Sequence, residues 1–224
     1  RFYTIQQAGY YSQGSKWTTM GYSTIFGMIN SVGQPVFREA SEDRQRLQNI
    51  FRKLMRFTAF VSFPAMLGLA IVSQELIVIS ITEKWLPCVP VMQILCVWGA
   101  FMPISTLYSN LMNSIGRPNV YMWNTIALGI FQLLCVWGSY PYGLNIMLIV
   151  YTAANIFWLL IWHYFAHKHI GISLLNTLKD IAPYLIISVA VMTFTYWVAG
   201  YVKNIYLSLL VKIALAASLY IFLM

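Results

Sequence analysis

Residues 89–114 read VPVMQILCVWGAFMPISTLYSNLMNS, a stretch without a single charged side chain. At about 1.5 Å per helical residue it is long enough to cross the roughly 30 Å hydrocarbon core of a bilayer. Working outward from it, six further runs have similar length and apolar character: 17–37, 51–72, 120–137, 144–165, 181–198 and 205–224. Run 17–37 is the most polar of the seven. Segment 74–85 holds apolar Leu76 to Ile81, too short to span, and is expected to lie at the membrane interface.

Composition agrees with this reading. Of 224 residues, 59% are apolar, 16% aromatic and only 9% charged, against about 25% charged in soluble proteins. Such a chain lacks the charge to cover a water-facing surface, which disfavours a soluble enzyme, a nucleic-acid binder and a disordered region. Fourteen bases against six acids give +8, an excess that membrane proteins concentrate in their cytoplasmic loops. Cys88, Cys96 and Cys135 lie in or beside apolar runs without a CxxC pair, so they read as small apolar fillers and not as a disulfide framework. The chain opens on Arg1 and runs apolar to Met224, and is expected to be a piece of something longer.

Counting bases in alternate loops orients the helices. With the segment before Trp17 outside, the inner loops hold Arg38, Arg44, Arg46, Arg52, Lys53, Arg56, Arg117, Lys168 and Lys179, and the outer ones Arg1, Lys16, Lys84 and Lys203. That asymmetry satisfies the positive-inside rule. Residues 38–56 are expected to form an amphipathic cytoplasmic helix, capped by Ser41 with Glu42 and Asp43 in its first turn, that leads into the second span. Residues 163–180, mildly amphipathic, are expected along the inner interface.

Polar residues inside apolar runs mark the faces that avoid lipid. In the third span Gly99, Pro103, Thr106, Asn110, Asn113 and Arg117 follow at steps of four, three, four, three and four, a single helical stripe. The first span carries Ser23, Gly27, Asn30, Ser31 and Gln34 ahead of Pro35. Arg52, Arg56 and Pro64 share a face of the second, placing two guanidinium groups at its cytoplasmic mouth. Asn124 and Gln132 lie eight apart in the fourth span, and Asn155 is alone in the fifth. Lys212 stands about 10 Å into the last span, where an ammonium must snorkel or face a wet interior. Stripes of this kind either glue helices together or line a cavity.

Signals for enzymatic chemistry are thin. His163 and His167 form an i, i+4 pair with His169 nearby, yet the nearest acid is distant Asp180. The spans hold no clear acid, and no Gly-rich phosphate loop is present. No cofactor and no metal is expected.

Five motifs in order resemble a known family. Gly9-Tyr10-Tyr11-Ser12-Gln13-Gly14-Ser15-Lys16 is similar to the "LGYYSxAxK" segment that opens the eighth helix of Wzx-type polysaccharide flippases, members of the superfamily that also holds multidrug exporters and the lipid II flippase. Gln34-Pro35-Val36-Phe37 with the charged 41–56 linker, Phe63-Pro64-Ala65-Met66-Leu67-Gly68-Leu69, Glu75-Leu76-Ile77 through Glu83-Lys84-Trp85, and Asn113-Ser114-Ile115-Gly116-Arg117 resemble four further family segments. Thr82 and Gly14 depart from the family's usual Gly and Ala.

The resemblance implies an all-α membrane protein, a polytopic helix bundle forming the second lobe of a two-lobed transporter of about fourteen spans. Residues 1–165 would be the lobe core, 166–180 an interfacial linker, and 181–224 the last two, accessory helices. The implied task, in the bacterial inner membrane, is to move an undecaprenyl-pyrophosphate-linked glycan to the periplasmic leaflet by alternating access coupled to an ion gradient. Its partners would be that glycan lipid, membrane lipids and the protein's own N-terminal lobe, with no nucleic acid. On this reading Arg52, Arg56 and Arg117 attract the pyrophosphate, Asn30, Gln34, Asn110 and Asn113 meet sugar hydroxyls, and Lys212 faces a wet interior. A drug or small-solute antiporter of the same fold, and a membrane acyltransferase using His163 or His167, are the alternatives.

Overall fold

The computed structural model describes residues 4–202 and 204–224. Arg1 and Lys203, counted above among the outer bases, lie outside them. Every regular element is helical: α1 Ile5–Glu39, α2 Arg44–Ile71, short α3 Ser73–Ser80, a 3-10 turn Glu83–Cys88, α4 Val89–Ser114, α5 Pro118–Ser139, α6 Leu144–Ile170, α7 Leu174–Ala199 and α8 Ile205–Leu223. Six of these helices are long and apolar enough to cross a membrane. The seventh long helix, α1, takes the place of the expected first span but is too polar to meet the same standard.

Local signals explain where the helices begin. Thr4 caps α1 in a reciprocal box with Gln7. At α2 the cap is Asp43, whose Oδ1 accepts from the Gln45 and Arg46 amides at 2.9 and 3.0 Å, whereas the Ser41 hydroxyl turns back to the Arg38 carbonyl. The expectation of a Ser41 cap fails because α1 runs on to Glu39, so residues 40–43 form the turn itself. The amphipathic 38–56 segment and the second span are accordingly one continuous helix from Arg44 onward. The inner linker also differs from expectation. Helix α6 continues to Ile170 and α7 starts at Leu174, so most of the 166–180 segment lies at the ends of two helices, with three residues between them.

Helix α4 is the centre of the lobe, packed against α1, α2 and α6. More than half of its apolar stretch is buried, 56%, against 6% for α5, whose Leu133, Ile130 and Trp137 are exposed as lipid-facing side chains would be. Phe37, Phe51, Phe63, Met55 and Met66 from α1 and α2 close on α4, with the Phe51 and Tyr108 rings 5.2 Å apart. Between helices in lipid the hydrophobic effect contributes little, and close packing and hydrogen bonds carry association. Ser62 accordingly donates to the Ala100 carbonyl at 2.7 Å and Tyr220 to that of Phe60 at 2.8 Å. Helix α7 lies along α2, and α8 against α7 and α3.

One glycine sets how closely α1 approaches α4. A Cβ at Gly14 would meet the Val91 side chain at 3.0 Å and the Met92 backbone nitrogen at 3.1 Å. Backbone cannot yield as a side chain can. Gly14→Leu is expected to destabilise the lobe by about 1–3 kcal/mol through overpacking, read as a lowered thermal midpoint of the purified protein in detergent.

Candidate functional site

Helices α1, α4, α5 and α6 line an open-sided cavity of about 480 Å3. On one wall the Asn110 Nδ2 donates to Asn30 Oδ1 at 2.9 Å, and Asn110 Oδ1 accepts from Gln34 Nε2 at 3.2 Å. These two bonds tie α1 to α4 and fix which amide atoms remain open. Gln34 and Asn30 each keep unused hydrogen-bonding capacity, and Asn113, one turn further along α4, makes no side-chain hydrogen bond at all among the described residues. Thr106, Ser105 and Ser109 add hydroxyls to the same wall.

The opposite wall was not assigned from sequence. Gln132 of α5 donates to Asn155 Oδ1 at 2.8 Å, and Asn155 Nδ2 donates to the Tyr151 carbonyl. Gln132, noted beside Asn124 in the fourth span, and Asn155, alone in the fifth, are therefore partners across α5 and α6. Trp98, Tyr121, Tyr151 and Trp162 supply aromatic surface, and the Trp162 indole N–H is buried without a partner. A neighbouring bond from Trp158 Nε1 to Asn124 Oδ1, 2.6 Å, braces α5 against α6. No charged side chain lines the cavity among the described residues. Amides that both donate and accept, with hydroxyls and flat rings, suit an uncharged ligand rich in hydroxyl groups; nothing here would neutralise a phosphate.

The α4 stripe divides accordingly. Thr106, Asn110 and Asn113 line the cavity, while Gly99 packs against Met66, Thr18 and Tyr22. Arg117 lies past the end of α4, in a separate cleft. The α1 stripe divides as well, with Asn30 and Gln34 in the cavity and Ser23, Gly27 and Ser31 on an exposed face that they share with Met20, Met28 and Val32.

Three cations expected at the site are elsewhere. Arg52 grips Asp180 of α7 with two hydrogen bonds, Nε to Oδ2 at 2.6 Å and a terminal nitrogen to Oδ1 at 3.1 Å, and Arg56 reaches Oδ1 at 3.1 Å. Asp180 is 5% exposed, so both guanidinium groups serve a buried carboxylate on the α2 face turned to α7. Lys212 is likewise committed: its ammonium meets Glu75 Oε1 at 2.5 Å and the Ile71 carbonyl at 2.9 Å. Ser208 donates to the same Glu75 oxygen, and the Tyr196 ring centroid lies 5.4 Å from the ammonium. One span thus does contain an acid, and a second acid lies in the short α3. Asp180 falls inside α7 because that helix begins early, and Glu75 of α3 is folded in against α8.

Two of the three histidines are engaged, each singly. His163 Nδ1 is 3.2 Å from the Tyr108 hydroxyl, and His167 Nδ1 donates to the Ile172 carbonyl at 2.8 Å. No group of three metal-binding side chains occurs among the described residues.

Removing one partner of a buried ion pair strands the other. Lys212→Met is expected to cost about 3–5 kcal/mol by leaving Glu75 unpaired, and the double variant Lys212→Met, Glu75→Gln to regain most of it. Thermal midpoints of the three proteins check this.

Comparison with known proteins finds similarity to proteins named for polysaccharide biosynthesis. The family model described as "Polysaccharide biosynthesis protein" matches residues 1–90. A protein of Klebsiella pneumoniae called "Uncharacterized membrane protein in cps region" is 30% identical over 110 residues, 49% of this chain and 23% of that one. The lipopolysaccharide biosynthesis protein WzxC of Escherichia coli K12 is 30% identical over 105 residues, 46% of this chain and 21% of its own. The teichuronic acid biosynthesis protein TuaB of Bacillus subtilis 168 is 24% identical over 132 residues, covering 58% and 27%. Among solved structures, the lipid II flippase MurJ in its inward closed conformation superposes with a TM-score of 0.74 at 18% identity, over 99% of this chain and 47% of that one. The chain therefore spans about a quarter of the length of the curated relatives it matches and about half of the solved chain on which it superposes. These findings bear out the resemblance to polysaccharide flippases and the all-helical, multi-pass membrane architecture drawn from the motifs.

Proposed function

We propose that this chain is the second lobe of a bacterial inner-membrane transporter, not an enzyme, that carries a polyprenyl-pyrophosphate-linked oligosaccharide from the cytoplasmic to the periplasmic leaflet. The observation that carries the reading is the cavity of α1, α4, α5 and α6. It holds amides, hydroxyls and aromatic rings, and no charge, at a depth where every polar group costs free energy unless it is satisfied. Sugar hydroxyls satisfy such groups.

In this mechanism the cavity amides exchange hydrogen bonds with water for hydrogen bonds with the glycan, while the lipid tail stays in the bilayer. Asn113, Asn30, Gln34 and Asn110 form the α1–α4 side of the binding surface, and Gln132 and Asn155 the opposite side. The N-terminal lobe would complete the passage, and alternating access would come from movement between lobes. Arg52, Arg56 and Lys212 take a structural part, leaving Arg117 as the cation of the original set without an acid partner.

Asn113→Ala removes a free amide without breaking a bond inside the protein. In the full-length transporter, expressed in a strain lacking its own copy, Asn113→Ala and Gln132→Ala are each expected to lower surface polysaccharide about fivefold to tenfold at matched protein level, the equivalent of one or two lost hydrogen bonds. Unchanged polysaccharide in both strains would overturn the sugar-binding role of the cavity. Loss of drug efflux in place of polysaccharide would put the antiporter reading in its stead.

A further inference from the structure

Beyond the cavity, at the end carrying the inner-loop bases, a second and smaller recess of about 240 Å3 lies between the α1–α2 turn, the α4–α5 turn and the last turn of α6. Arg44, Arg117 and His169 line it from these three separate elements, with Ser41 and Glu42 at its edge. The three basic side chains are not equivalent. Arg44 Nε donates to the Ile170 carbonyl at 3.0 Å, joined there by Gln48, and so helps hold the end of α6. The Arg117 guanidinium and the His169 ring make no hydrogen bond or ion pair among the described residues. Glu42 forms no ion pair with any of them.

The backbone fixes this convergence. Gly116 at φ 71° turns the chain out of α4, and Pro118 starts α5 immediately after, so Arg117 is held at the corner. Gly171 at φ 76° ends α6, and any Cβ there would collide with the Arg44 guanidinium. The two turns thus bring an unpaired guanidinium and an imidazole to one recess beside Arg44. Arg117 offers a planar fork of donors, and His169 an N–H in either neutral tautomer. That donor set matches the oxygens of a phosphate group.

We infer that the recess lined by Arg117, His169 and Arg44 binds a phosphate group, either on a lipid headgroup or free in solution. The inference does not depend on the sugar reading of the cavity. It concerns a different set of side chains, one turn past Asn113, at the end that carries the inner-loop bases.

The test uses the full-length protein in phosphatidylcholine nanodiscs with and without phosphatidylglycerol, with bound anionic lipid counted by native mass spectrometry. Inorganic phosphate serves as competitor. Arg117→Gln and His169→Gln are each expected to weaken binding of phosphatidylglycerol about tenfold, and Lys53→Gln, which removes an inner-end cation outside the recess, to leave it unchanged. Arg44 is kept, because its loss would release the end of α6. Displacement by inorganic phosphate would show that the headgroup phosphate alone is recognised; phosphate bound where phosphatidylglycerol is not would identify a soluble source. Equal weakening by Lys53→Gln would mean that surface charge alone attracts the lipid, and would overturn the inference, as would unchanged binding in Arg117→Gln and His169→Gln at unchanged thermal midpoint. Surface polysaccharide in the Asn113→Ala strain reports on the cavity separately.

Discussion

A carboxylate held at 5% exposure between membrane-length helices survives only if it is met by charge and hydrogen bonds from every side. Asp180 meets Arg52 twice and Arg56 once, and that cluster decides how the last two helices sit. Helix α7 can lie along α2 only in the register that brings Asp180 to those two arginines. The same constraint recurs on α8, where Lys212 is admitted to the interior by Glu75, Ser208 and the Ile71 carbonyl. The cavity follows it with neutral groups, since all its amides but Asn113 are paired with each other across helices before any ligand arrives.

Much of the helical architecture was legible because hydrocarbon imposes a length and a composition on what crosses it. Runs such as 89–114 and 144–165 could be nothing shorter or more polar, and both lie within long helices. The Asn110 stripe was equally readable, because the step of three and four residues is a property of one helix. What was hidden is everything that depends on two helices at once. Asp180 lies 128 residues from Arg52, and Glu75 137 from Lys212, so no local pattern announces either pair. Arg52 and Arg56, read alone, look like free cations at a cytoplasmic mouth.

The same limit explains the half-read cavity. Gln132 and Asn155 stood out in sequence as polar intrusions, but their hydrogen bond is a fact of how α5 crosses α6. A rule of pairing unaccounted polar residues in adjacent spans would have found them. The misplaced cap at α2 has a different origin. Ser41, Glu42 and Asp43 are all plausible first residues, and the choice is made by how far α1 persists before it breaks.

Three of the ion pairs, at two places, have a mechanical meaning together. Arg52 and Arg56 clasp α7 in the early turns of α2, whereas Glu75 clasps α8 just beyond the other end of the same helix. A beam pinned at two well-separated points cannot swivel about either. When this lobe rocks, α7 and α8 must be carried with α2 as ballast on the same arm, and any motion of the pair relative to the core has to begin by unfastening a buried charge.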